Sequence, residues 1–153
     1  MSKAIQNRLK NELNKLINEP VCNSEIALEK EDDIRVWVVI LEGPSGTPYE
    51  GGFFKLRFVF PDNYPFKPPE VKFLTTVYHP NIKLDTGDIC LDVFSSSWTP
   101  TQKVSEILEK IASILQSPSV VSPLEPEIAK ELQNKPKDFE KKAKEYTTKY
   151  ATK

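Results

Sequence analysis

The sequence predicts an α+β domain: one leading helix, an antiparallel meander of about four strands, a long proline-stiffened loop, then three helices. Three observations carry this. Apolar residues recur at three- and four-residue spacing near both ends of the chain, and they alternate at every second residue in between. Between Pro44 and Pro126 lie 11 of the 13 prolines. With 153 residues, against ~100–200 per domain, the chain reads as a single domain, 1–153.

Residues 2–18 open the chain as a helix, with Ile5, Leu9, Leu13, Leu16 and Ile17 on one face and Lys3, Arg8, Lys10 and Lys15 off it. Pro20 ends it. A strand is expected around Cys22–Leu28, with Cys22 a plain strand residue, and a second over Ile34–Leu41, rich in Val, Ile and Trp. Gly43 to Pro48 is a turn cluster. Then Phe54, Leu56, Phe58 and Phe60 alternate with Phe53, Lys55, Arg57 and Val59, the period of a strand. Val71–Leu74 is a short fourth strand. From Pro61 to Pro100 regular structure is sparse, and proline makes such a loop stiff rather than slack. A loop of that length in a compact domain points to function. Helices resume at Thr101, with Val104, Ile107, Leu108, Ile111, Ile114 and Leu115 as the apolar stripe. Glu125–Asn134 follows with Pro126 in its first turn, its Ile128 and Leu132 facing inward. Pro136 opens the last helix, on which Phe139, Ala143, Tyr146 and Tyr150 share a face.

Composition excludes several classes. The chain is 39% hydrophobic and 28% charged, which fits a soluble globular domain and not disorder. No apolar run approaches the ~18 residues of a membrane span, and the first residues lack a signal-peptide core. Two cysteines and one histidine, with no CxxC pair, are too few for a disulfide framework or a four-ligand zinc site, so no metal is expected. A reducing cytoplasmic or nuclear setting follows. The net charge of −1 conceals basic ends: residues 1–17 carry four basic and one acidic side chain, and residues 135–153 seven lysines and three acids. Aromatics are not interleaved with those lysines, so no nucleic-acid partner is expected. The bland account of the lysines is a solvated helix face.

Within the long loop, His79, Asn81 and Cys90 fall inside twelve residues. Three readings compete on the residues alone. A structural cluster is the commonest fate of a buried Cys and a lone His. A papain-like Cys/His/Asn set uses the right residue types, but the local signatures of thiol proteases are absent and Pro80 stiffens the backbone beside His79. Acyl transfer through a thioester needs one reactive thiol on a stiff loop and an amide donor for the oxyanion.

An ordered set of motifs runs through nearly the whole chain. It comprises Gly43-Pro44 with Thr47 to Gly52, Phe60-Pro61 with Tyr64-Pro65-Phe66-Lys67-Pro68-Pro69, and Val77-Tyr78-His79-Pro80-Asn81-Ile82. Gly87 with Ile89-Cys90-Leu91-Asp92, Trp98-Thr99-Pro100 and Ser122-Pro123-Leu124 complete it. In these the sequence resembles the ubiquitin-conjugating enzymes, the carriers between activating enzyme and ligase, and their UBC fold has the element order just derived. The resemblance implies a ubiquitin thioester on Cys90, passed to a substrate lysine or a ligase cysteine. It implies no cofactor, since the activating enzyme is the one that uses ATP. Asn81 corresponds to the asparagine whose amide steadies the oxyanion, a role that can coexist with a loop-bracing one. His79 and Pro80 would be scaffold, and Tyr78 and Leu91 would line the pocket for the incoming lysine. Ser122 stands where many members carry an acid, which shifts weight to Asp92 or to an acid from the substrate.

The resemblance also implies partners: ubiquitin, its activating enzyme, a RING or HECT ligase, and protein substrates, with the carrier itself a monomer. Ligase contact would fall on Arg8 of the first helix, Pro65 and Phe66 of one loop, and Trp98, Thr99, Pro100 and Thr101 of another. Phe66 is the anchor of choice, an aromatic on a proline-stiffened loop. The Thr86 to Cys90 wording is closest to peroxisomal carriers and to carriers with an appended ubiquitin-associated domain, for which this chain has no room. That wording adds a peroxisome-associated location to the cytoplasmic and nuclear ones. The alternatives are a carrier of a SUMO- or NEDD8-type modifier and a non-catalytic scaffold. Against them stand the absence of an insertion before Trp98 and the presence of Cys90.

Overall fold

A computed structural model of the chain describes residues 1–89 and 98–153. Helix α1 (Lys3–Asn18) leads into strands β1 (Ser24–Lys30), β2 (Asp33–Glu42), β3 (Phe53–Val59) and β4 (Glu70–Phe73). Helices α2 (Val104–Gln116), α3 (Pro126–Asn134) and α4 (Pro136–Tyr150) complete the described elements. The strands form one antiparallel sheet in the order β1-β2-β3-β4, the predicted meander.

Strand alternation decides which face is covered. Opposed pairs Trp37↔Phe58, Val39↔Leu56 and Leu41↔Phe54 all point to the buried side. Against them lie Leu9, Leu13 and Leu16 of α1 and Val104, Ile107, Leu108, Ile111 and Leu115 of α2. The rings of Trp37, Phe60 and Tyr64 extend this core into the loop after β3, with centroids 4.6 and 4.9 Å apart.

Three expectations need correction. Cys22 is not in a strand: Cys22 and Asn23 have φ of 53° and 51°, and the Ser24 N–H bonds Val21 O at 3.0 Å, so a turn precedes β1. The second helix starts at Val104 rather than Thr101, because residues 99–102 close a turn in which the Gln102 N–H donates to Thr99 O. On α4 the buried positions are Phe139, Ala143 and Thr147, while Tyr150 is 41% exposed. Thr147 takes the inner place because its hydroxyl bonds Ala143 O and its methyl meets Gly52, where a Cβ would come within 2.6 Å.

Candidate active site

From Tyr78 to Asn81 each residue is held by a hydrogen bond to another part of the fold. Tyr78 accepts the Tyr49 hydroxyl on its carbonyl at 2.7 Å, and its own hydroxyl donates to Glu131 on α3 at 2.7 Å. Its ring lies beside Phe139 and Tyr146 of α4. Burial is the main cause that pushes the Tyr78 phenol well above its ordinary value, with the Glu131 carboxylate adding to it.

His79 is fully buried. Its Nε2 lies 2.8 Å from Ile114 O, and its Nδ1 accepts the Asn81 N–H at 3.0 Å. A carbonyl can only accept, so the proton sits on Nε2. Desolvation lowers its pKa from 6.5 to about 4, so the ring is neutral at physiological pH. Pro80 offers its carbonyl to two donors, the N–H groups of Leu124 and Glu125 at 2.9 and 3.0 Å.

Asn81 closes the row. Its Nδ2 donates to Ser119 O and its Oδ1 accepts the Ser119 N–H, both at 2.9 Å. This two-point clasp fixes which way the amide faces. It uses one of two Nδ2 hydrogens. The loop it holds carries Val121, 77% exposed, and Ser122, exposed and at φ 49°.

Beyond Asn81 the chain folds back. Ile82 pairs with Ile89 and Lys72 with Asp88 as isolated antiparallel bridges, and the turn between is closed by Lys83 N–H to Asp88 O and Gly87 N–H to Lys83 O. Gly87 has no substitute there: its φ is 77°, and a Cβ would overlap the Phe73 carbonyl. Asp88 also pairs with Lys72 at 3.3 Å; the Thr86 hydroxyl first, then Lys72, lowers its pKa. This turn delivers the backbone to position 90. Cys90, Leu91 and Asp92 themselves lie outside the described residues.

A second cluster joins α1 to two loops. Glu12 accepts the Val104 N–H at 3.0 Å on one oxygen, and on the other the Tyr64 hydroxyl at 2.6 Å and Arg8 Nε at 3.2 Å. Arg8 Nη2 donates to Gln102 O, and its guanidinium stands over the Tyr64 ring. Trp98 Nε1 donates to Pro65 O. Thus Arg8, Pro65, Trp98 and the turn of Thr99, Pro100 and Thr101 come together, with Phe66 beside them 72% exposed. Arg8 is half-buried and committed to internal partners rather than free in solvent.

The fold and this arrangement have close counterparts. A protein-family description, ubiquitin-conjugating enzyme, matches residues 8–147. The chain belongs to the ubiquitin-conjugating enzyme family. A Dictyostelium discoideum protein named ubiquitin-conjugating enzyme E2 B is 41% identical over 150 residues, covering 97% of this chain and 99% of its own. The E2 domain of a Toxoplasma gondii ubiquitin-conjugating enzyme superposes with a TM-score of 0.90 at 36% identity, covering 96% of this chain and 99% of that one. A crystal structure of a Plasmodium yoelii chain assigned to the same class gives 0.93 at 36% identity, covering 100% and 99%.

Several residues that organise this ubiquitin-conjugating enzyme carried no signal in the sequence. Glu12 is one more charged residue on a helix face, yet it caps α2, whose own N-cap Lys103 makes no side-chain bond. Ser119 acts through its backbone, which no residue type announces. Glu131 sits between Tyr78 and Lys142, at 2.7 Å from each.

Proposed function

We propose that this ubiquitin-conjugating enzyme carries ubiquitin as a thioester on Cys90 and passes it to an amine. The observation that carries the reading is the backbone from Tyr78 to Ile89, braced at Tyr78, His79, Pro80 and Asn81 and closed by the Ile82–Ile89 bridge, leading by one covalent bond into the sole cysteine of the loop. The Cys90 thiolate attacks the ubiquitin C-terminal carbonyl held as a thioester on the activating enzyme: the new C–S bond forms, the C–S bond to the activating enzyme breaks, and that enzyme's thiolate leaves. A neutral lysine amine then adds to the same carbonyl, the C–N bond forms, the C–S bond breaks, and the thiolate leaves. The proton shed by nitrogen goes to a base. Lysine has a reference pKa of ~10.4, so the acceptor needs desolvation or a nearby carboxylate. Asp92 or an acid of the substrate fits that role, with Ser122 at the gate.

Asn81 takes both of its roles. The clasp on Ser119 braces the loop, and the second Nδ2 hydrogen serves the oxyanion, a donor worth ~2.7–4 kcal/mol. His79, neutral and with both ring nitrogens facing backbone groups, is scaffold rather than base. Tyr78 is turned to α3 and α4, so its support of the acceptor pocket runs through the backbone. The face formed by Arg8, Pro65, Phe66, Trp98, Thr99, Pro100 and Thr101 receives the ligase.

Charging with activating enzyme, ATP and ubiquitin tests the reading. The wild-type chain gives an adduct that reductant removes, and Cys90→Ala gives none. Absence of the adduct on intact protein, or its persistence in Cys90→Ala, overturns it.

A further inference from the structure

Glu125 stands at the N-terminal boundary of α3, a position where Asp, Asn, Ser or Thr caps the helix. Its side chain makes no such bond. Instead Oε2 accepts the Leu84 N–H at 2.8 Å, from 41 residues earlier in the chain. Its own N–H, together with that of Leu124, goes to Pro80 O. One residue therefore holds two points of the site. The first is the carbonyl between His79 and Asn81. The second is the turn whose closure sets Ile82 against Ile89. A glutamate that leaves its own helix uncapped to reach another loop breaks a local rule, and such departures collect at functional sites.

We propose that Glu125 is a positioning residue for aminolysis of the thioester, fixing the 82–89 turn, and with it the backbone entering position 90, relative to Asn81. This rests on the reading that Cys90 carries ubiquitin. Displacement of a reacting group by about 1 Å costs up to ~100-fold in rate, so loss of this tether slows transfer without touching the thiol.

The test uses the full chain charged by activating enzyme, ATP and ubiquitin, then freed of ATP and mixed with a series of free lysine concentrations. Glu125→Ala charges to the wild-type endpoint. Its maximal discharge rate falls roughly tenfold with the lysine dependence unchanged, as a small misplacement demands. Glu125→Gln keeps an oxygen for the Leu84 N–H and restores most of that rate. Hydrogen exchange at Leu84 speeds up in the alanine variant and not in the glutamine one. Should the alanine variant be too unstable to assay, Glu125→Asp, too short for Leu84 but still able to cap α3, takes its place with the same expected outcome. Wild-type discharge in the tether-less variant overturns the proposal. So does a glutamine variant as slow as alanine, or charging that falls in step with discharge. A wild-type chain that forms no adduct is a distinct result, which removes the carrier reading and this proposal with it.

Discussion

His79 shows how one buried side chain ties the site to the pH of the medium. In the unfolded chain its imidazole takes a proton near 6.5, whereas in the fold burial delays protonation to about 4. Between those values the unfolded state holds the extra proton. Stability from this group is therefore complete above pH 6.5 and declines as pH falls towards 4, by about 3 kcal/mol. As the sole histidine of the chain, its ring resonances can be followed without overlap. NMR should show it uncharged down to about pH 5, and a midpoint near 6.5 would mean the ring is not sealed as described. The family resemblance implied a scaffold role for His79. Its partner could not be read the same way, because Ile114 contributes only a carbonyl.

At the scale of elements, Glu12 is the point where α1, the loop after β3 and the start of α2 meet. Its carboxylate is 10% exposed, so removing it strands the Val104 N–H, the Tyr64 hydroxyl and the Arg8 guanidinium at once. Glu12→Ala should cost roughly 2–4 kcal/mol in urea unfolding, given that bonds to a charged partner are worth about 1.5–3 each. Glu12→Gln should recover part. Helices and strands themselves were legible, since a period of two or 3.6 reports which face is covered. Their edges were not, and the reasons are local. Two positive φ values move β1 past Cys22, and a cap supplied from α1 coincides with the late start of α2. Thr147 displaces Tyr150 because Gly52 admits close approach, which hydropathy does not record. For the candidate site the sequence offered a list of residues. The clasps of Asn81 on Ser119 and Glu125 on Leu84 were not, because they join side chains to backbone groups across 38 and 41 residues.

For the whole molecule, two clusters are kept apart by what stabilises them. The face proposed for the ligase is built around Glu12, and the site proposed for the thioester around His79, Asn81 and Glu125. Phe66 belongs to the first and touches little, so Phe66→Ala should change unfolding free energy by no more than about 0.5 kcal/mol. With a RING ligase that accelerates discharge of the wild-type chain, the same variant should lose that acceleration while charging normally. Equal loss of charging would place Phe66 elsewhere in the mechanism. The long-range clasps also order events during synthesis. Ile114, Ser119 and Glu125 all follow position 90 in the chain. At roughly 5–20 residues per second, Glu125 is added about 2–7 s after Cys90. Through that interval the growing polypeptide already holds its thiol and its complete sheet, but not the frame that makes the thiol useful. Translation thus makes position 90 before it makes the residues that brace the turn leading into it.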